Sequence, residues 1–129
     1  MGRILVTAVL AMTLAKAASA QSAEGLWASP PDPKGQTGIV QITPCGAALC
    51  GTLIKAFDPN GQPIVTPNVG KQLIWDMKAA GPGHYDGGRV YVPLFGRDYA
   101  ATMQVSGTKL TVKGCAVGVC KSQHWQRAN

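Results

Sequence analysis

Four cysteines in two copies of one spacing, Cys45-x4-Cys50 and Cys115-x4-Cys120, and two histidines, His84 and His124, are the side chains here whose types and placement could do chemistry. Paired thiols close disulfides, ligate metals as thiolates, or cycle between redox states. The third use needs a C-x-x-C spacing opening a helix, which the sequence lacks. Among acid–base candidates, His84 and Asp86 share a glycine-rich stretch, where a metal-binding or proton-transfer role competes with the simpler role of a turn histidine beside an Asx-turn residue. Ser122 and His124 lie on one strand face. Two strand rises of about 3.3 Å separate them, too far for a direct nucleophile–base hydrogen bond. Asp58-Pro59-Asn60-Gly61 begins like a calcium loop but lacks the remaining ligands, including the bidentate glutamate. The single glutamate, Glu24, lies far from it, in the N-terminal region. No nucleophile elbow, His-Glu-x-x-His helix, phosphate loop or dinucleotide fingerprint is present. The sequence therefore points to no catalytic residue, no metal and no cofactor, with an enzyme using His84, Asp86 or His124 kept as the least favoured reading.

The surrounding chain decides between disulfide and metal. Arg3, the apolar run Ile4 to Leu14 and the small-x-small triplet Ala18-Ser19-Ala20 have the order of a cleaved export signal, with cleavage expected after Ala20. The run is shorter than the about 20 apolar residues a bilayer-spanning helix requires, and Lys16 interrupts its far end. Residues 21–129 then form one domain with no membrane span. Export to an oxidising compartment favours disulfides over a four-thiolate metal site.

Each cysteine pair brackets four residues that suit a hairpin tip, which favours Cys45 with Cys50 and Cys115 with Cys120. Loops so small limit the stabilisation to roughly 2 kcal/mol per bridge. Crossed pairing, Cys45 with Cys115 or Cys120, stays open at this point.

Loss of residues 1–20 removes Arg3 and Lys16 and lowers the net charge from +6 to +4, ten basic against six acidic side chains. The ten are dispersed, without the clustering or interleaved aromatics of a nucleic-acid surface, so nucleic acid is excluded as a partner. Anionic envelope components remain compatible with this charge.

Sixteen glycines and nine prolines argue against helices. Period-two alternation is clearest in Leu73–Met77, Tyr99–Val105 and Leu110–Lys113, with further strands expected at Gly25–Ser29, Thr37–Thr43, Cys50–Phe57, Gly88–Leu94 and Val119–Arg127. About eight strands joined by turns predict an all-β fold, a small antiparallel up-and-down barrel, with a two-sheet sandwich as the alternative. Asp58–Lys71 and Ala79–Gly87 read as surface loops. Inward candidates are Val40, Ile42, Trp75, Tyr99, Met103 and Val112, with Ala101 leaving space among them. The last strand has no wholly apolar face, so Gln123 or His124 is expected to line a partly polar pocket or the barrel mouth.

Gly25-Leu26-Trp27, Pro44-Cys45-Gly46-Ala47-Ala48-Leu49-Cys50-Gly51, Gly87-Gly88-Arg89-Val90-Tyr91 with Gly96 and Tyr99, and His124-Trp125-Gln126-Arg127 together resemble the exported bacterial domain of unknown function 2147 family, across the whole chain after the export signal. The resemblance implies a lipocalin-like barrel in the periplasm or outside the cell and assigns no activity. Gly25-Leu26-Trp27 also resembles the Gly-x-Trp of lipocalin-type barrels. By that resemblance Trp27 closes the barrel base beneath Arg127 through cation–π stacking.

Three functions fit these features. The favoured one is non-enzymatic binding of a small apolar or amphipathic molecule inside the barrel. The second is an envelope module with a fully packed interior, its loops contacting a protein or an anionic polymer. The third is the enzyme already described.

Overall fold

Alternating apolar positions punctuated by glycine and proline favour strands over helices. The computed structural model describes residues 22–129 together with Gly2, Ile4, Thr7 and Ala8, and contains no helix among them. Apart from those four residues, the expected export signal lies outside the described residues. Nine strands follow in order: β1 Gly25–Ala28, β2 Thr37–Cys45, β3 Ala48–Phe57, β4 Pro63–Ile64, β5 Gln72–Ala79, β6 His84–Val92, β7 Arg97–Ser106, β8 Lys109–Ala116 and β9 Val119–Arg127. All pairings are antiparallel, in the order β2-β1-β9-β8-β7-β6-β5-β3-β4, and β2 also pairs with β3. That last pairing closes eight strands into a ring, so the fold is a barrel and not a sandwich. Closure leaves only the short β4 outside the ring, on β3, and removes the exposed edges an open sheet carries.

Two connections differ from the sequence expectation. The segment expected as one loop, Asp58–Lys71, contains β4, whose Ile64 and Pro63 pair with Ala56 and Phe57. The loop expected over Ala79–Gly87 shrinks to residues 80–83, because β5 runs to Ala79 and β6 starts at His84.

Strand direction gives the barrel two unlike ends. The connections 29–36, 58–71, 93–96 and 117–118 lie at one end, the mouth; 46–47, 80–83 and 107–108 lie at the other, the base. Both cysteine pairs are disulfides, Cys45–Cys50 and Cys115–Cys120. Each spans the two-residue turn of a hairpin, the first at the base and the second at the mouth, and the described residues contain no free cysteine.

The base is solid. Trp27, Ile42, Ile74, Met77, Met103 and Leu110 are the large side chains packed there, each almost wholly removed from solvent. Each contributes about 1.5–3 kcal/mol of burial. The segment before β1 plugs the bottom: Ala23 is buried, its carbonyl accepts the Trp27 Nε1–H at 2.8 Å, and its amide donates to Tyr85 Oη at 3.2 Å. Gly88 of β6 admits the close approach of β5, since a Cβ there would stand 2.8 Å from the Trp75 carbonyl oxygen and against the Met77 thioether.

β5 breaks the period of two. Leu73 and Ile74 are both buried, at a register shift between Gly51↔Ile74 and Thr52↔Gln72 on β3. Asp76 then takes a positive φ of 55°, and Met77 returns to the interior. A bulge re-aims every side chain that follows it. Trp75, expected to face inward, is instead half-buried and paired with Arg89, outside the core cluster.

Candidate functional site

On β8 and β2 the inward side chains become small toward the mouth, and the barrel interior opens beside them. Along β8 the inward series runs Leu110, Val112, Gly114, Ala116; along β2, read from the base, it runs Ile42, Val40, Gly38. The space they leave is a cup of about 660 Å³ open at the mouth, within the roughly 300–1,000 Å³ common for small-molecule sites. Its deep walls are Val40, Leu53, Leu73, Val90, Val112 and Trp125, all buried apolar residues. Tyr99 and Tyr91 line it higher up, and the Phe95 ring meets that of Tyr99 edge-on at a centroid separation of 6.4 Å. The connection 30–34, Thr66, Asn68, Leu94, Phe95, Val119 and Lys121 form the rim.

β9 supplies the polar side of the cup. Buried Trp125 fixes which face points inward, so Val119, Lys121 and Gln123 line the cup with it. Gln123 Oε1 accepts the Trp125 Nε1–H at 3.0 Å, which orients both side chains. Lys121 brings a cation into the upper cup, and Lys34 and Asp32 stand on the rim. The arrangement offers an apolar floor beneath a polar, net cationic opening.

Of the sequence-predicted lining residues, the structure places Val40, Tyr99, Val112 and Gln123 in the cup. Ile42 and Met103 face inward but belong to the packed base. Ala101 is buried without lining the cup, and the space comes instead from Gly38, Ala56, Gly114 and Ala116. His124 is on the outer face of β9, exposed, with its Nδ1 3.0 Å from Thr111 Oγ1 of β8. The pocket role open to it goes to its neighbour Gln123.

The other candidates do not converge. His84 pairs across to Gln104, Nδ1 to Oε1 at 3.0 Å, while exposed Asp86 is in register with Lys78. β7 and β8 separate His84 from His124 around the ring. Among the described residues no three of His, Cys, Asp and Glu gather at one point, and no polar or charged residue is fully buried. The Asp58 carboxylate is engaged by the Asn60 and Gln62 amides at 2.9 Å, so it closes its own turn.

At the base, Arg127 and Trp27 face each other across β9 and β1. The guanidinium carbon lies 4.2 Å from the indole centroid, and its two terminal nitrogens donate to the carbonyls of Glu24 and Ser22 at 3.1 and 2.9 Å.

Charged side chains are distributed along the whole barrel axis. Arg89 of β6 pairs at 2.7 Å with Asp98, at the mouth end of β7. Toward the base stand Lys78, Lys109 and Arg127 with Glu24, Asp76 and Asp86; toward the mouth stand Lys34, Lys55, Lys71, Arg97 and Lys121 with Asp32, Asp58 and Asp98; Arg89 and Lys113 lie between.

Two comparisons with known proteins found similarities, one of sequence family and one of fold. The family described as "Uncharacterized protein conserved in bacteria (DUF2147)" matches residues 25–127. A solved structure, the protein HP1028 of the human pathogen Helicobacter pylori, described as belonging to the lipocalin family, is similar in fold with a TM-score of 0.67 at 14% identity, covering 84% of each chain. No curated protein matches this chain. From its first strand to its last, the chain belongs to the bacterial DUF2147 family and folds as a lipocalin-like β-barrel.

Proposed function

We propose that the protein is an exported, non-enzymatic carrier of a small amphipathic molecule held in the cup. The observation that carries this reading is the cup itself: about 660 Å³ of space, floored by Val40, Leu53, Val90 and Val112 and opening beside Lys121. An apolar body displaces water from the floor, gaining about 25 cal/mol per Å² of apolar surface buried. A polar or anionic end stays at the opening with Lys121, Lys34 and Gln123. Such division of labour, apolar walls for affinity and a few polar groups for orientation, is the usual construction of ligand sites. Two disulfides and the N-terminal segment read as an export signal support an oxidising compartment, periplasmic or extracellular.

The alternative, a module with a fully packed interior, has less support, because the cup leaves room inside the barrel. Native mass spectrometry of protein purified from its own compartment tests the carrier reading. A discrete added mass, lost on denaturation, is the expected result; a bare polypeptide mass that acquires no amphipathic ligand on incubation contradicts it.

A further inference from the structure

The mouth face carries more apolar surface than a solvated end needs. Every exposed large apolar side chain between residues 22 and 129, namely Val65, Val69, Leu94, Phe95, Val117 and Val119, lies on a mouth connection or on the mouth end of β9. Leu94, Phe95 and Val119 line the cup's rim, and Val65 and Val117 adjoin the rim residues Thr66 and Ala116. Val117 stands out among them. It is fully exposed at the tip of the β8–β9 turn with φ 48°, a conformation in which a β-branched residue is an outlier and where asparagine or glycine is the ordinary choice. The Cys115–Cys120 disulfide holds the neck of that turn. On the same side of the barrel stand Lys34, Lys55, Lys71, Arg97 and Lys121 against Asp32, Asp58 and Asp98.

We propose that the mouth face docks on an anionic phospholipid surface. Leu94, Phe95, Val65 and Val117 enter the headgroup–acyl boundary while Lys34, Arg97 and Lys121 meet the phosphates. Apolar tips set among cations are the pattern of surfaces that lie on membranes without spanning them, and anionic lipid attracts each nearby Lys or Arg. Docked this way, the cup faces the acyl layer and its opening is closed to water. The docking rests on the distribution of apolar side chains and charge, and goes beyond the carrier reading without depending on it.

Cosedimentation of the compartment-processed protein with vesicles tests this, comparing phosphatidylcholine alone with a mixture containing phosphatidylglycerol. The expected result is binding to the mixture at low salt, weakened as salt rises and weaker on phosphatidylcholine alone. Phe95→Asp combined with Val117→Asp lowers the affinity at least about tenfold, through loss of apolar burial. Arg97→Gln lowers it about fivefold, the effect of one cation near an anionic surface, and Lys109→Gln at the base leaves it unchanged. All four positions are exposed, and an unaltered circular dichroism spectrum establishes that each variant is folded. Failure to sediment with the phosphatidylglycerol mixture at low salt overturns the proposal, as does binding that the Phe95/Val117 double variant leaves intact. A protein that carries a ligand in native mass spectrometry yet ignores both vesicle types overturns docking alone. One that binds vesicles with its cup empty upholds docking and removes the carrier reading.

Discussion

The Arg127 guanidinium carbon stands 4.2 Å from the centroid of the Trp27 ring, joining the last strand of the barrel to the first. The same guanidinium donates to the Ser22 and Glu24 carbonyls, and the indole N–H donates to that of Ala23 between them. Two side chains thus fasten the ring's final seam and hold the plug beneath the packed base.

Arg127→Ala removes the cation–π contact and both hydrogen bonds, and is expected to lower unfolding free energy by about 1–3 kcal/mol. Arg127→Lys recovers only part, because an ammonium lacks the fork that reaches both carbonyls. Urea unfolding monitored by circular dichroism reads both. A midpoint unchanged by Arg127→Ala contradicts the assignment.

The two disulfides close equally short loops at opposite ends of the barrel. Replacing either pair by serines is expected to cost about 2 kcal/mol on the chain-entropy account. The quadruple variant loses the sum, since sites this far apart with no shared partners act independently. Urea midpoints of the single-pair and quadruple variants check the additivity, and a quadruple loss far from the sum of the pairs contradicts it.

Packing density differs between base and cup, and equal truncations report it. Leu110, wholly buried in the base, should lose about 2–5 kcal/mol on substitution by alanine, with a sealed cavity left behind. Leu53 borders the open cup. Leu53→Ala leaves no sealed void and should fall at or below the bottom of that range, about 2 kcal/mol. Equal losses measured by denaturant unfolding would show the cup to be collapsed in solution.

Residues that obey a period of two were legible in the sequence. The β7 and β8 alternation places Met103 and Val112 inward as expected, with Val105 and Leu110 buried on the same faces, and the cysteine spacing located both hairpins. Trp75 was not legible, because two adjacent inward residues, Leu73 and Ile74, arise from a bulge that depends on the register against β3. His124 and Gln123 were interchangeable until Trp125 became buried and chose the face. The cup did leave a signal, the change from Leu110 and Val112 to Gly114 and Ala116 along β8 and from Ile42 and Val40 to Gly38 along β2. Reading it requires knowing which strand end is the mouth, a property of the closed ring and not of any single strand.

Methyl NMR during titration with an unbranched fatty acid tests the carrier reading most directly, because the methyl groups distinguish floor from rim. The reading predicts saturable shifts at Val40, Leu53, Leu73, Val90 and Val112, with Ile42 and Leu110 of the base unmoved. Shifts confined to Leu94, Val117 and Val119, or none at all, would contradict it.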